Sequence, residues 1–148
     1  MPVTAFDRVQ GSFAQQQFMQ TLGATLLSVK PGAVEITLPF RADLTQQNDF
    51  LHAGVITSIL DSACGYAALT VAPENANVLS VEFKLNLLSP AVGKRFVARA
   101  HVKRAGRRIT VCTADAFAID GAEEKLVATM LATIITVNAG SVENSPHK

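Results

Sequence analysis

Charge is scarce in this 148-residue chain and almost evenly split: 13 Lys and Arg stand against 12 Asp and Glu, the net charge is +1, and charged residues make up only 17%. Such a balance gives no global electrostatic case for nucleic acid or for an anionic membrane surface, so neither is expected as a partner and any anion site must be local. Cysteine is nearly absent too. Cys64 falls in an apolar helical stretch and Cys112 in a strand-like one, with no metal-ligand spacing around either, so two buried free thiols are expected. The opening segment MPVTAFDRVQGSFAQQQ has no basic start followed by an apolar run, so neither a signal nor a transit peptide is expected and the cytoplasm is the expected compartment. The longest apolar stretch is broken by Thr57, Ser58, Asp61 and Ser62, too polar for a helix facing lipid. No Gly-rich phosphate loop occurs.

What the chain has in quantity is apolar residues, 49% of the total, enough for one well-buried core and a buried subunit interface. A single domain over residues 1–137 is expected, followed by a disordered tail over 138–148 (NAGSVENSPHK). Phe6, Val9, Phe13, Met19 and Leu22 recur at roughly helical intervals among glutamines and predict a short amphipathic N-terminal helix over 6–22. ATLLSVK and AVEITLPF read as two strands joined at Pro31-Gly32. A polar, irregular segment then leads into AGVITSILDSACGYAALTVA, a long helix ending before Pro73. Four extended runs follow: VLSVEFKLNLL, RFVARAHVKR, RITVCTADAFAI and KLVATMLATIITV, with Ala105-Gly106 and Asp120-Gly121 as short hairpin signals. Because the long helix is apolar on most faces, it must be enclosed. Four consecutive hairpin-linked strands, with two from before the helix, predict an α+β architecture in which an antiparallel sheet wraps around one central helix.

Asp61 is the odd residue on that helix, with no basic side chain between Arg41 and Lys84 to pair with it. Its neighbours three, four or seven positions away, Gly54, Thr57, Ser58, Cys64, Gly65 and Ala68, are all small, which makes a groove for a twin helix or a thin ligand with a carboxylate at its centre. An acid in an apolar cleft marks chemistry more often than packing. The bland alternative is a polar plug bonded to Thr57 or Ser58, or a surface-facing patch. At the helix start, the N–H groups of Ala53 and Gly54 lack helical acceptors and carry the positive end of the dipole, so they can polarise a carbonyl. An ordinary helix start capped by Asp49 or by the His52 carbonyl is the competing reading. Ala53 and Asp61 are eight residues apart, about 12 Å along one helix, so one carbonyl cannot touch both. Two copies of the helix packed antiparallel would bring the start of one to Asp61 of the other and give a two-fold dimer two composite sites.

LTQQNDFLHAGVITSILDSACGYAA followed by SVEFKLNLLSP resembles the hotdog-fold acyl-CoA thioesterases of the phenylacetate-pathway, PaaI-like type, in element order over 24–137 and most sharply in the H-A/G-G…D-S/T-A-x-G-x-A pattern at 52–68. The resemblance implies that Asp61 acts as nucleophile or as general base towards water and that the Ala53 N–H binds the thioester carbonyl, where many relatives have glycine. It implies that Gln46, or its neighbours Gln47 and Asn48, orients water or substrate, and that Ser80 positions the attacking water; a strand serine bonded to backbone is the alternative for Ser80. His52 either holds the loop before the helix or titrates in the reaction, and the holding role is favoured. Arg104, Arg107 and Arg108, with Lys103, cluster about the Ala105-Gly106 turn as the basic candidates for the nucleotide end of CoA, against the alternative of a solvated hairpin tip.

The expected activity is hydrolysis of an aryl- or medium-chain acyl-CoA, with Asp61 as nucleophile or general base and partner N–H groups stabilising the oxyanion. This chemistry calls for no metal or other cofactor. The expected assembly is a homodimer paired into a homotetramer, a dimer of dimers. The rival readings are a non-catalytic acyl-CoA-binding protein, to which a buried acid would be useless, and an enoyl-thioester dehydratase or hydratase using His52 with Asp61.

Overall fold

The computed structural model describes residues 1–138. In chain order it contains α1 (Ala5–Gln15), α2 (Gln17–Leu22), β1 (Thr25–Lys30), β2 (Ala33–Pro39), a 3-10 turn (Ala42–Leu44), α3 (Ala53–Val71), β3 (Ala76–Leu87), β4 (Arg95–Ala105), β5 (Ile109–Asp120) and β6 (Glu123–Asn138). The tail expected over 138–148 lies outside the described residues except for Asn138, which ends β6.

The N-terminal helix is two helices, not one. Val9 and Phe13 are four apart and Met19 and Leu22 three apart, but the six residues from Phe13 to Met19 cannot keep one face of a continuous helix. The chain resolves the conflict by extending at Gln16 (φ −79, ψ 98), and Val9, Met19 and Leu22 are then all buried. Thr4 and Asp7 form a reciprocal capping box at the start of α1. Phe6, read with the apolar face, is 48% exposed.

One antiparallel sheet runs in the order β1-β2-β4-β5-β6-β3. The turn between β1 and β2 needs Gly32 at φ +75, and its N–H donates to Thr70 Oγ1 at the end of α3. The expectation of four consecutive hairpin-linked strands is corrected here: only β4, β5 and β6 are so linked, while β3 pairs with β6 at the far edge and β4 pairs with β2. The segment 88–94 makes the crossing. It bridges the sheet end through Leu88 N–H to Val127 O and Lys94 N–H to Ile119 O, and Pro90 keeps it out of strand conformation.

α3 lies across the concave face. Alternate inward residues of the strands (Val34 and Ile36, Phe96 and Ala98, Ala114 and Ala116, Met130 and Ala132) meet Ile56, Ile59, Leu60 and Ala63 of the helix, all at most 2% exposed. Each large aliphatic among them contributes about 1.5–3 kcal/mol on burial. The many alanines on β4 and β5 let a helix approach the sheet closely. α3 is long and apolar enough to cross a bilayer, yet it serves as the core helix here. Enclosure is not complete: Gly54, Thr57, Ser58, Asp61, Ser62 and Gly65 form a stripe that stays partly open to solvent. Cys64 and Cys112 are free and buried, as expected. Burial raises the Cys64 thiol strongly and pushes the Cys112 thiol up to about 11.

Candidate active site

Asp61 stands in the middle of the open stripe of α3, half-buried, and is bonded to neither Thr57 nor Ser58. Those two hydroxyls donate back along the helix to Ala53 O and Gly54 O, both at 2.7 Å. The partner of Asp61 is Ser80, whose Oγ donates to Oδ1 at 2.6 Å from the edge strand β3. A donor to one carboxylate oxygen fixes the rotamer and leaves the other free. Asp61 and Ser80 share a cavity of about 240 Å³ with Gln16, Tyr66 and Asn77.

Ala53 lies elsewhere. It opens, with Gln46, Phe50, Ile56, Leu87 and Val127, into a second cavity of about 380 Å³ with a mostly apolar wall. Among the described residues no acceptor meets the Ala53 N–H, the first of the helix. Gly54 differs from the expectation. Its N–H donates to His52 Nδ1 at 2.7 Å, so the histidine side chain occupies the Gly54 donor, while the expected His52 carbonyl accepts from Val55 N–H at 2.9 Å; among the described residues Asp49 takes no part in the cap. A Cβ at Gly54 would stand 2.9 Å from that nitrogen, which ties glycine to the cap. His52 is itself exposed, and its Nδ1 serves backbone geometry.

The loop between the 3-10 turn and α3 is pinned by Gln46. Its Oε1 accepts from Asn48 N–H and from Phe50 N–H, and its own N–H donates to Phe50 O at 2.9 Å. The tight turn puts Asp49 at φ 65, a left-handed conformation that aspartate tolerates better than most residues. Of the three candidates in this loop only Gln46 faces a cavity. Gln47 and Asn48 are exposed and line none of the described cavities, and the backbone N–H of Asn48 is spent on the turn.

The basic cluster at the β4–β5 turn also separates. Arg107 and Arg108 flank a surface concavity of about 520 Å³ with Glu74, Asn75 and Asn138. Lys103 lines a different concavity, beside Lys84 and Asn86. Arg104 lines none of the described cavities. Sequence reasoning missed the polar group beside Asp61: Tyr66 accepts from Gln16 Nε2 at 2.8 Å, and Gln16 Oε1 accepts from Ser62 Oγ at 3.3 Å. The broken spacing between Phe13 and Met19 was the signal that could have found Gln16.

A family model described as the thioesterase superfamily matches residues 48–125, the stretch holding α3, Asp61 and Ser80. The crystal structure of a thioesterase family protein from Silicibacter pomeroyi superposes with a TM-score of 0.89 at 49% identity, covering 91% of this chain and 99% of that one. The Escherichia coli PaaI protein, from the phenylacetic acid degradation operon, superposes at 0.82 over 90% of this chain and 94% of its own; at 18% identity the likeness is one of fold. A Saccharolobus solfataricus protein bearing the name esterase is 28% identical over 95 residues, 64% of this chain and 67% of that protein. The sheet wrapped around α3 is the hotdog fold that the sequence led one to expect.

Proposed function

This chain belongs to the thioesterase superfamily, and from that premise we propose that it hydrolyses an aryl- or medium-chain acyl-CoA to the free acid and CoA, in composite sites at a homodimer interface. The observation that carries the reading is the division of the machinery: a carboxylate aligned by Ser80 in one cavity and, in another, a helix-start N–H that meets no acceptor among the described residues, about 12 Å apart on one helix. Within one chain the two parts cannot act on the same carbonyl. Antiparallel pairing of two α3 stripes supplies what is missing, and Gly65 and Gly54 permit close approach.

The edge strand β3 favours that pairing. Leu79, Val81 and Leu87 are 48%, 56% and 57% exposed on a strand whose outer edge is unpaired, a surface that a monomer rarely leaves bare. Joining two β3 edges antiparallel would continue the sheet and set the two α3 helices side by side.

In this site the thioester carbonyl oxygen points at the Ala53 N–H of one subunit, whose dipole stabilises the oxyanion as it forms. Asp61 of the other subunit either attacks the carbonyl carbon, expelling the CoA thiolate and leaving an anhydride that water cleaves, or takes a proton from the water that attacks. Ser80 holds one oxygen of Asp61 so that the free one faces the carbon. Gln46 orients the loop over the Ala53 cavity, and the apolar wall of that cavity suits an aryl or alkyl group.

His52 with its Nδ1 given to the Gly54 cap is poorly placed for the acid/base pair a hydratase would need, which favours hydrolysis over hydration. The test is release of free CoA from phenylacetyl- and hexanoyl-CoA, followed beside hydration of crotonyl-CoA. Thiol release that vanishes in Asp61→Asn supports the reading; hydration without thiol release overturns it.

A further inference from the structure

The two cavities differ in chemistry, and so do the two arms of an acyl-CoA. One arm is apolar, while the other, pantetheine, carries two amides and ends in phosphates. Resting on the thioesterase reading, we infer that the Asp61 cavity is the pantetheine channel and that Tyr66, set by Gln16, is the residue that reads it.

The first support is an uncommitted donor. Tyr66 is 7% exposed, and its hydroxyl oxygen accepts from Gln16 Nε2 at 2.8 Å and from Ser12 Oγ at 3.4 Å. It thus receives one short hydrogen bond from Gln16, while the long contact with Ser12 joins two hydroxyls and leaves the phenol proton weakly held. A phenol so placed can turn its proton into the cavity it lines, and an amide carbonyl is the acceptor such a proton suits. Asn77 on the same wall can meet an amide N–H. An alkyl or plain aryl group would give this polar wall no partner and would shut Asn77 and the free oxygen of Asp61 off from water, at a cost.

The second support is direction. Asn77 of this cavity follows Ala76, which lines the concavity flanked by Arg107 and Arg108. From Ser80, at the carboxylate, to Ala76 is four strand residues, about 13 Å. An extended pantetheine arm, two amide-linked units and a hydroxyacid head, spans roughly four residue lengths. The arm therefore reaches the two arginines with its phosphates, where guanidinium forks suit them. The acyl group is thereby directed the other way, into the apolar cavity of the partner subunit.

The geometry also gives Gln16 a task that explains the break between α1 and α2. Its amide spans Tyr66 and Ser62, holding the phenol in one rotamer, so Gln16 is a positioning residue.

The experiment measures kcat/KM for two acyl groups, phenylacetyl and hexanoyl, each as the thioester of CoA, of N-acetylcysteamine and of ethanethiol, with the full-length protein and with Tyr66→Phe and Gln16→Leu. Both variants keep the apolar packing, and their thermal midpoints are checked against the parent. The expected result is a loss in Tyr66→Phe of about fivefold on CoA thioesters through KM, equal for both acyl groups and absent on ethanethiol esters, with Gln16→Leu following the same pattern. A loss that persists on ethanethiol esters or that depends on the acyl group overturns the inference, because the cavity then holds the acyl arm. If the parent protein cleaves none of the six thioesters, the thioesterase reading falls. Calorimetric binding of free CoA then decides the inference alone: weaker binding by Tyr66→Phe upholds it and equal binding overturns it.

Discussion

Replacing Ala53 with proline isolates the one backbone atom on which the proposed oxyanion site depends. Proline is favoured at the first position of a helix, where its missing N–H has no helical acceptor to lose. The surroundings at Ala53 fit that case. It is the first residue of α3, its N–H meets no acceptor among the described residues, and the preceding His52 sits at φ −61, ψ 136, the extended conformation that a residue before proline prefers. The substitution therefore removes no hydrogen bond from the resting fold, and the stiffer unfolded chain adds about 0.4–1 kcal/mol of stability. Catalysis should respond in the opposite sense. Loss of one oxyanion donor lowers kcat about a hundred- to a thousandfold, roughly 2.7–4 kcal/mol. The assay pairs thermal unfolding with steady-state thiol release, and Ala53→Gly, which retains the N–H, serves as the control for the change in side-chain volume. The expected outcome is a thermal midpoint equal to or above the parent's with kcat collapsed in Ala53→Pro and largely retained in Ala53→Gly. A folded Ala53→Pro dimer with kcat within threefold of the parent would refute the oxyanion assignment.

Three further outcomes follow from particular contacts. Ser80→Ala removes the 2.6 Å hydrogen bond to Asp61 and should lower kcat about tenfold, as expected for a bond to a charged group, with little effect on folding; an unchanged kcat would show that Asp61 needs no such partner. Gly65→Leu meets nothing within 4 Å of its Cβ in a single chain and improves helix propensity, so the subunit should fold normally while a sizing column reports the monomer and activity is lost; an active dimer would disprove pairing along this stripe. Arg99 donates to Glu124 and holds its carboxyl below the ordinary range, so this pair stabilises the fold above the usual glutamate pKa and loses that effect as pH falls through the lower, folded value. Glu124→Gln should therefore flatten the acid limb of the stability curve below about pH 4.5 and leave thiol release at neutral pH alone; an unaltered limb would show that the pair is fully screened.

Local patterns in the sequence were enough for the long helix, the strand runs and the turn glycines, because each is written within a few neighbouring residues. Sheet order was not legible: the segment 88–94 looks like any turn, and only its bonds to Val127 O and Ile119 O show that it carries the chain across the sheet end to β2. Asp61 stood out because an acid without a basic neighbour on an apolar helix is a local anomaly, whereas its bond to Ser80 joins residues nineteen apart and was not foreseen: the resemblance brought Ser80 forward only as a residue that positions water. The His52 cap shows the opposite limit. Two adjacent donors, Ala53 and Gly54, look equivalent in sequence, and it takes the side chain of the residue before them to show that one is occupied. Tyr66 escaped notice because a buried aromatic on a core helix has an ample explanation in packing, and its hydroxyl acquires meaning only from Gln16, fifty residues earlier in the chain.

The most direct test of a site shared between two chains is subunit complementation. Asp61→Asn and Ala53→Pro, each inactive alone, are unfolded together, refolded as a mixture and assayed for thiol release. Half of the dimers then pair unlike chains, and each such dimer holds one site with both Asp61 and the Ala53 N–H intact, so the mixture should regain roughly a quarter of the parent activity. If Asp61 and Ala53 served the same site from within one chain, no dimer would contain an intact site, and a mixture as inactive as its components would contradict the account.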